Sequence, residues 1–140
     1  MPDLLLFVPS ESCSIDSSSN RVSIFHICEQ LNLVAFPGLV PCVYFSTLWQ
    51  KLPNEGPNDV FMQTIELADP DGSSLCRTSA KFSMTRRRHR LISIVSNVQI
   101  HRAGMHYIRL FLHGERDEPA EHNLIKQFPL EVQQVPRTAQ

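Results

Sequence analysis

The chain has 140 residues, 42% of them hydrophobic and 19% charged, with a formal net charge of -1. That length suits one domain, the apolar share fills one core, and neither disorder nor bulk polyanion binding is indicated. No apolar run approaches the roughly 18 residues of a membrane-spanning helix, and Met1-Pro2-Asp3 ahead of Leu4 to Val8 carries no basic leader. The expected setting is the cytoplasm, with no membrane partner. Cys13, Cys28, Cys42 and Cys76 include no close pair of the kind that chelates zinc or cycles a disulfide, so they read as buried reduced thiols.

Helical periodicity is nearly absent, ten prolines and five glycines punctuate the chain, and period-two alternation recurs throughout. In chain order, Leu4 to Val8 predicts a short apolar strand and Ser12 to Asp16 a brief one. Ser17-Ser18-Ser19-Asn20 then turns into a strand over Arg21 to Cys28. Glu29 to Ala35 reads as a helical turn and Phe36 to Pro41 as a loop. A strand follows from Cys42 to Lys51, with Val43, Phe45, Thr47 and Trp49 on one face. The clearest hairpin joins Val60 to Ala68 with Leu75 to Met84 through Asp69-Pro70-Asp71-Gly72, where proline presets φ and glycine supplies a positive φ. Its second arm alternates Cys76, Thr78, Ala80, Phe82 and Met84 against Arg77, Ser79, Lys81 and Ser83, so one face is solvated.

A second hairpin is expected from Leu91 to Ile100 and Met105 to His113, turning at His101 to Gly104, with Ile92, Ile94, Val98 and Ile100 facing inward. A charged loop over Gly114 to Pro119 leads to a last strand near Leu124 to Val132, whose Pro129 favours an edge or a bulge. About eight short strands separated by turns predict an all-β fold, a sandwich of two packed antiparallel sheets, with an up-and-down barrel as the alternative. One domain spans the chain, ordered from about residue 3 to about residue 133, with a short C-terminal tail over 134–140.

At Cys13-Ser14-Ile15-Asp16, the serine turn, Asn20 to Ile27 and Phe36-Pro37, the chain resembles an uncharacterised family of small bacterial and phage β-sandwich proteins. The likeness continues in the Asp69 to Gly72 turn and in the alternating segment Gly104 to Gly114, where His106 stands in place of that family's aromatic residue. It covers Leu4 to about Val132 and implies immunoglobulin-like packing. It brings no activity, cofactor or catalytic residue.

Charge is distributed unevenly. Residues 1–71 hold two basic and nine acidic side chains, residues 72–114 eight basic and none acidic, and residues 115–140 three basic and five acidic. The basic block is Arg77, Lys81, Arg86, Arg87, Arg88, Arg90, Arg102 and Arg109, with the run Arg86-Arg87-Arg88-His89-Arg90 in a connection between hairpins. Arg77 and Lys81, on a solvated strand face, are expected to join Arg86, Arg87, Arg88 and Arg90 in one positive surface. Guanidinium forks match carboxylate and phosphate oxygens, so an acidic protein partner or an anion is one reading of that surface. Compensation of the same arginines by acids of the flanking segments is the other. Nucleic acid held by its phosphate backbone is the alternative for the same surface, although no stacking aromatics are interleaved with the arginines, which disfavours base-specific binding. Self-association through edge strands, positive middle against negative flank, is a further reading.

Catalytic constellations are missing: no G-x-S-x-G elbow, no Cys-His pattern, no glycine-rich phosphate loop. Cys28 and Cys76 read as core thiols, and Asp69 to Asp71 as turn chemistry rather than a calcium site. His101, His106 and His113 lack the spacing of a metal site, His26 reads as a half-buried core residue, and His89 and His122 as solvent-facing. Trp49 belongs with the core rather than with a sugar-binding face. The expectation is a non-enzymatic binding or assembly module without cofactor or metal.

Overall fold

Strands form wherever the sequence alternates, and in the computed structural model, which describes Met1–Arg137, there are nine of them. They are β1 (Asp3–Ile15), β2 (Val22–Ile27), β3 (Gln30–Leu33), β4 (Gly38–Gln50), β5 (Val60–Ala68), β6 (Ser74–Ser83), β7 (Arg88–Ile100), β8 (Gly104–Gly114) and β9 (Leu124–Gln134). A single 3₁₀ turn, Glu121–Asn123, precedes β9. Of the expected tail, residues 138–140 lie outside the described residues.

The strands build a four-stranded sheet in the order β2-β1-β4-β7 and a five-stranded sheet in the order β3-β9-β8-β5-β6. Along one margin β6 lies beside β7, and Phe82 stacks on His89 with ring centroids 5.2 Å apart. The sheets therefore curl toward each other as a half-barrel over a shared core. That core holds Phe45 and Trp49 of β4, Ile65 and Leu67 of β5, and Ile108 and Leu110 of β8, with Trp49 stacked on Phe82 at 5.8 Å.

The β5–β6 hairpin forms as expected, and Gly72 closes its turn at φ +92°. The second expected hairpin does not exist. β7 pairs with β4 along its length, from Gly38↔Ile100 to Gln50↔Arg88, whereas β8 pairs with β5 and β9. Residues 101–103 thus carry the chain from one sheet to the other. Gly104, at φ +128°, marks a change of direction, but turn chemistry does not say which strand is the neighbour on the far side.

Other expectations are corrected for local reasons. Ile94 faces solvent, and Val95, Val98 and Ile100 are the buried residues of β7. Asn97, at φ +56°, interrupts the alternation and reverses which side chains face inward. Pro41 lies at the matching point of β4, between the Val40↔Val98 and Cys42↔Ser96 pairs, and there too the buried residues switch from Val40 to Val43. β4 accordingly starts at Gly38, inside the expected loop. Glu29 to Ala35 contributes β3 rather than a helical turn, and β3 pairs parallel with β9, so the sheets are not wholly antiparallel. β3 reaches only Glu131 to Gln134 of β9, which leaves Pro129, with no N–H to donate, where β9 has one neighbour.

The expected short strands Leu4 to Val8 and Ser12 to Asp16 form one long strand, β1. It pairs with β4 only from Asp3 to Ser10; beyond that it pairs with β2 alone. The Asp16 carboxylate organises the β1–β2 turn by accepting from the Ser18 N–H and hydroxyl and from the Ser19 N–H, and these bonds hold its pKa down at about 2. Asn20 at the turn is held by Arg90 of β7, which donates to its backbone oxygen (3.0 Å) and to its Oδ1 (2.9 Å). Arg90 lies beyond β4, so the β1–β2 hairpin folds across the outer face of the four-stranded sheet.

Candidate functional site: a cationic connection between the sheets

The β6–β7 connection links the two sheets at their shared margin. Its geometry is pinned from both sides: Arg88 and His89 pair with Gln50 and Trp49 at the end of β4, and the Lys51 N–H donates to the Arg87 carbonyl at 2.9 Å. Side chains of Arg86, Arg87 and Arg88 are exposed.

The basic residues divide into two sets. Arg77 projects from the outer face of the five-stranded sheet and meets the buried carboxylate of Glu66 at 2.5 Å. Arg109, on the adjoining strand, reaches the same Glu66 at 3.7 Å and also pairs with Glu121. Lys81 pairs with Glu115 at 2.8 Å, and that contact pulls the Glu115 carboxyl below the usual carboxylate range. Arg102 contacts Asp69 and Asp71, each at 3.1 Å. These four cations are compensated by acids of the two flanking segments, and Arg77 and Lys81 belong to that set.

The other four form no ion pair among the described residues: Arg86, Arg87 and Arg88 extend from the connection, and Arg90 holds Asn20. Two concavities flank them. One, of about 510 Å³, lies between the connection and the segment after β4, with Lys51, Arg86 and Arg87 in its wall. The other, of about 440 Å³, is lined by Arg86, Arg88 and Arg90 together with Asn20 and Leu48. Glu55, the carboxylate of the first concavity, is buried and turned toward the Leu52 N–H (3.4 Å) and the Met1 amino group (3.2 Å). Arg86 borders both spaces. A carboxylate or phosphate in either concavity would meet guanidinium groups with their donors still available.

His89, inside the arginine run, is not solvent-facing. It stacks on Phe82 and is half-buried, and burial lowers its pKa below the ordinary histidine value. Phe82 and His89, the rings that flank the connection in sequence, thus stack on each other rather than being offered to a ligand.

The remaining candidates fall elsewhere. His26 is exposed at φ +56° rather than half-buried in the core. His106 is buried on the inner face of β8, its Nδ1 3.1 Å from the Gly104 carbonyl oxygen. His113 lies on the opposite face, 2.8 Å from Thr64 Oγ1, which in turn lies 2.8 Å from Ser79 Oγ. No group of three or more potential metal ligands gathers among the described residues. Burial raises the pKa of the Cys28 and Cys76 thiols, as expected of packed thiols rather than nucleophiles. Sequence reasoning missed the Thr64–His113–Ser79 set because its members come together only through the β8-β5-β6 register.

Fold and site together define an all-β, two-sheet protein with an uncompensated cationic connection at the margin where the sheets meet. Comparison with known protein families, curated proteins and solved structures finds no match. No helix of the described residues is long and apolar enough to cross a membrane.

Proposed function

We propose that this protein is a non-enzymatic binding module of the cytoplasm, with two sheets used in the immunoglobulin-like manner as a rigid support and the β6–β7 connection as its contact surface. The partner is a protein segment rich in carboxylates, recognised by Arg86, Arg87 and Arg88 with Lys51 and Arg90 beside them. One observation carries this reading: the cations of residues 72–114 divide into a compensated set and a free set, and the free set gathers around two adjoining concavities. Arginines retained without carboxylate partners beside a concave surface are a local excess of positive potential, which steers an acidic partner and fixes its register. Arg77 and Lys81, part of the surface expected from sequence, are left out of the contact because Glu66 and Glu115 already occupy them.

Nucleic acid is the second reading of the same surface. The inward turn of Phe82 and His89 argues against it, since phosphate contact would then act without base stacking. Fluorescence anisotropy with a labelled poly-glutamate peptide and a labelled DNA duplex separates the two. The peptide should bind the unmodified protein, and replacement of Arg86, Arg87 and Arg88 by glutamate should abolish that binding, while Lys81→Ala leaves it within about twofold, or less than 0.5 kcal/mol. Binding of the duplex alone would replace the acidic-protein reading with the phosphate-backbone one. Binding that survives the triple substitution would remove the connection from the function.

A further inference from the structure

The hairpin that folds across the four-stranded sheet does not lie flat on it. Between the two is a concavity of about 390 Å³, walled by Leu6 of β1, Ser46 and Leu48 of β4, and Val22 and Ile24 of β2, with Arg21 and Arg90 at one end. That volume falls within the roughly 300–1,000 Å³ of small-molecule sites, and the make-up is characteristic of them: apolar walls and a few polar groups brought together.

Ser46 supplies the independent sign of a missing occupant. It points to the outer face opposite Val8, since its neighbours Phe45 and Thr47 face the core, and it is only 3% exposed. Its Oγ nevertheless has no hydrogen-bond partner. Buried hydroxyls are nearly always satisfied, and one left without a partner carries a standing penalty that an oxygen of a ligand would remove. At the end of the same space, Arg90 commits two of its five N–H donors to Asn20 and keeps the rest. Arg21 is exposed at the rim, and neither arginine has a carboxylate partner among the described residues.

We infer that the space beneath the β1–β2 hairpin is a binding site for a small aliphatic carboxylate. The tail lies between Leu6 and Leu48 on one side and Val22 and Ile24 on the other, and the carboxylate faces Arg90 and Arg21 with one oxygen accepting from the Ser46 hydroxyl. The site does not depend on the contact proposed for Arg86, Arg87 and Arg88, none of which lines it.

Octanoate is the probe, titrated into the full chain and followed through backbone amide NMR shifts, with octanol and octylammonium as neutral and cationic counterparts of equal length. Octanoate should give saturable shifts at Val22, Ile24, Ser46 and Leu48, octanol should bind more weakly, and octylammonium should not bind. Arg21→Gln, an exposed change that leaves the fold undisturbed, should weaken octanoate several-fold without altering octanol. Ser46→Ala should raise the unfolding temperature of the free protein and weaken octanoate. Replacing Arg86, Arg87 and Arg88 by glutamine should lower peptide affinity at least about tenfold yet leave octanoate within about twofold, since Arg90 is the one cation lining both places, so the two readings fail separately. No saturable shift up to roughly 10 mM octanoate, an affinity floor near 3 kcal/mol, or equal binding of octylammonium, would overturn the assignment.

Discussion

Gln63 of β5 reaches across the core and ties the two sheets together. Its Oε1 accepts from the Thr47 hydroxyl at 2.7 Å and from the Trp49 indole N–H at 2.9 Å, and its Nε2 donates to Ser93 Oγ at 3.4 Å. All three partners belong to the four-stranded sheet. Gln63→Leu keeps the volume and removes the acceptor. The Trp49 N–H, on a fully buried ring, is then left without a partner, a loss of about 1–3 kcal/mol. Thr47 falls back on the Leu91 carbonyl at 3.4 Å and adds about 1 kcal/mol more. The expected total is about 2–4 kcal/mol, equivalent to a fall in Tm of about 7–14 °C for a chain of this size. Urea unfolding followed by the fluorescence of Trp49, the sole tryptophan, measures it, with an unchanged m-value showing that stability alone has moved. Adding Thr47→Val should cost less in the Gln63→Leu background than in the unmodified protein, because its acceptor is already gone. A Gln63→Leu variant within about 0.5 kcal/mol of the unmodified protein would refute the assignment of this network as the tie between the sheets.

Three further outcomes follow from buried groups. Arg77→Ala should destabilise by about 1–2 kcal/mol, less than for a fully buried pair because Arg77 is half-exposed, and Glu66→Gln should restore much of the loss in a double variant; thermal unfolding of the four proteins checks this. Cys28 and Cys76 should react slowly with a disulfide reagent at about pH 8 and at the rate of a free thiol once urea unfolds the chain, as read by absorbance. His89 has a folded pKa below its unfolded value, so the fold favours its neutral form; the stability tied to it is present above about pH 6.5 and lost as pH falls through the folded pKa. His89→Phe should therefore flatten the pH dependence of stability on the acid side of neutrality, and an NMR titration of the imidazole should show its midpoint below about 6.5.

What the sequence discloses here is local. Asp69 to Gly72 announced its hairpin because the whole signal, proline, aspartate and glycine, lies within the turn itself. The segment 101–104 carried a similar signal and led to the wrong neighbour, because the choice of β4 for β7 and of β5 for β8 is made by packing between distant strands. Alternation in β7 places Val98 and Ile100 correctly but, carried back through Asn97, assigns Ile94 to the core where Val95 lies, because the single positive φ there breaks the period; asparagine tolerates that conformation without demanding it. The site divides in the same way. The run Arg86 to Arg90 is plain in the sequence, but the capture of Arg77 and Arg109 by Glu66 depends on β5 lying between β6 and β8, a register no single strand reveals. Ser46 alternates with the apolar face of Val43, Phe45, Thr47 and Trp49, and nothing in the sequence signals that the hairpin crosses above it.

The most direct measurement of the central claim is the affinity of the labelled poly-glutamate peptide across a salt series, made on two variants that remove charge without reversing it. Replacing Arg86, Arg87 and Arg88 by glutamine should lower the low-salt affinity by at least about tenfold, or 1.4 kcal/mol, and remove most of its salt dependence. Replacing Lys81 and Arg102 by glutamine removes two cations that are already paired and should leave both nearly unchanged. Equal losses in the two variants would contradict the division between compensated and free cations, and no loss in either would contradict the contact surface itself.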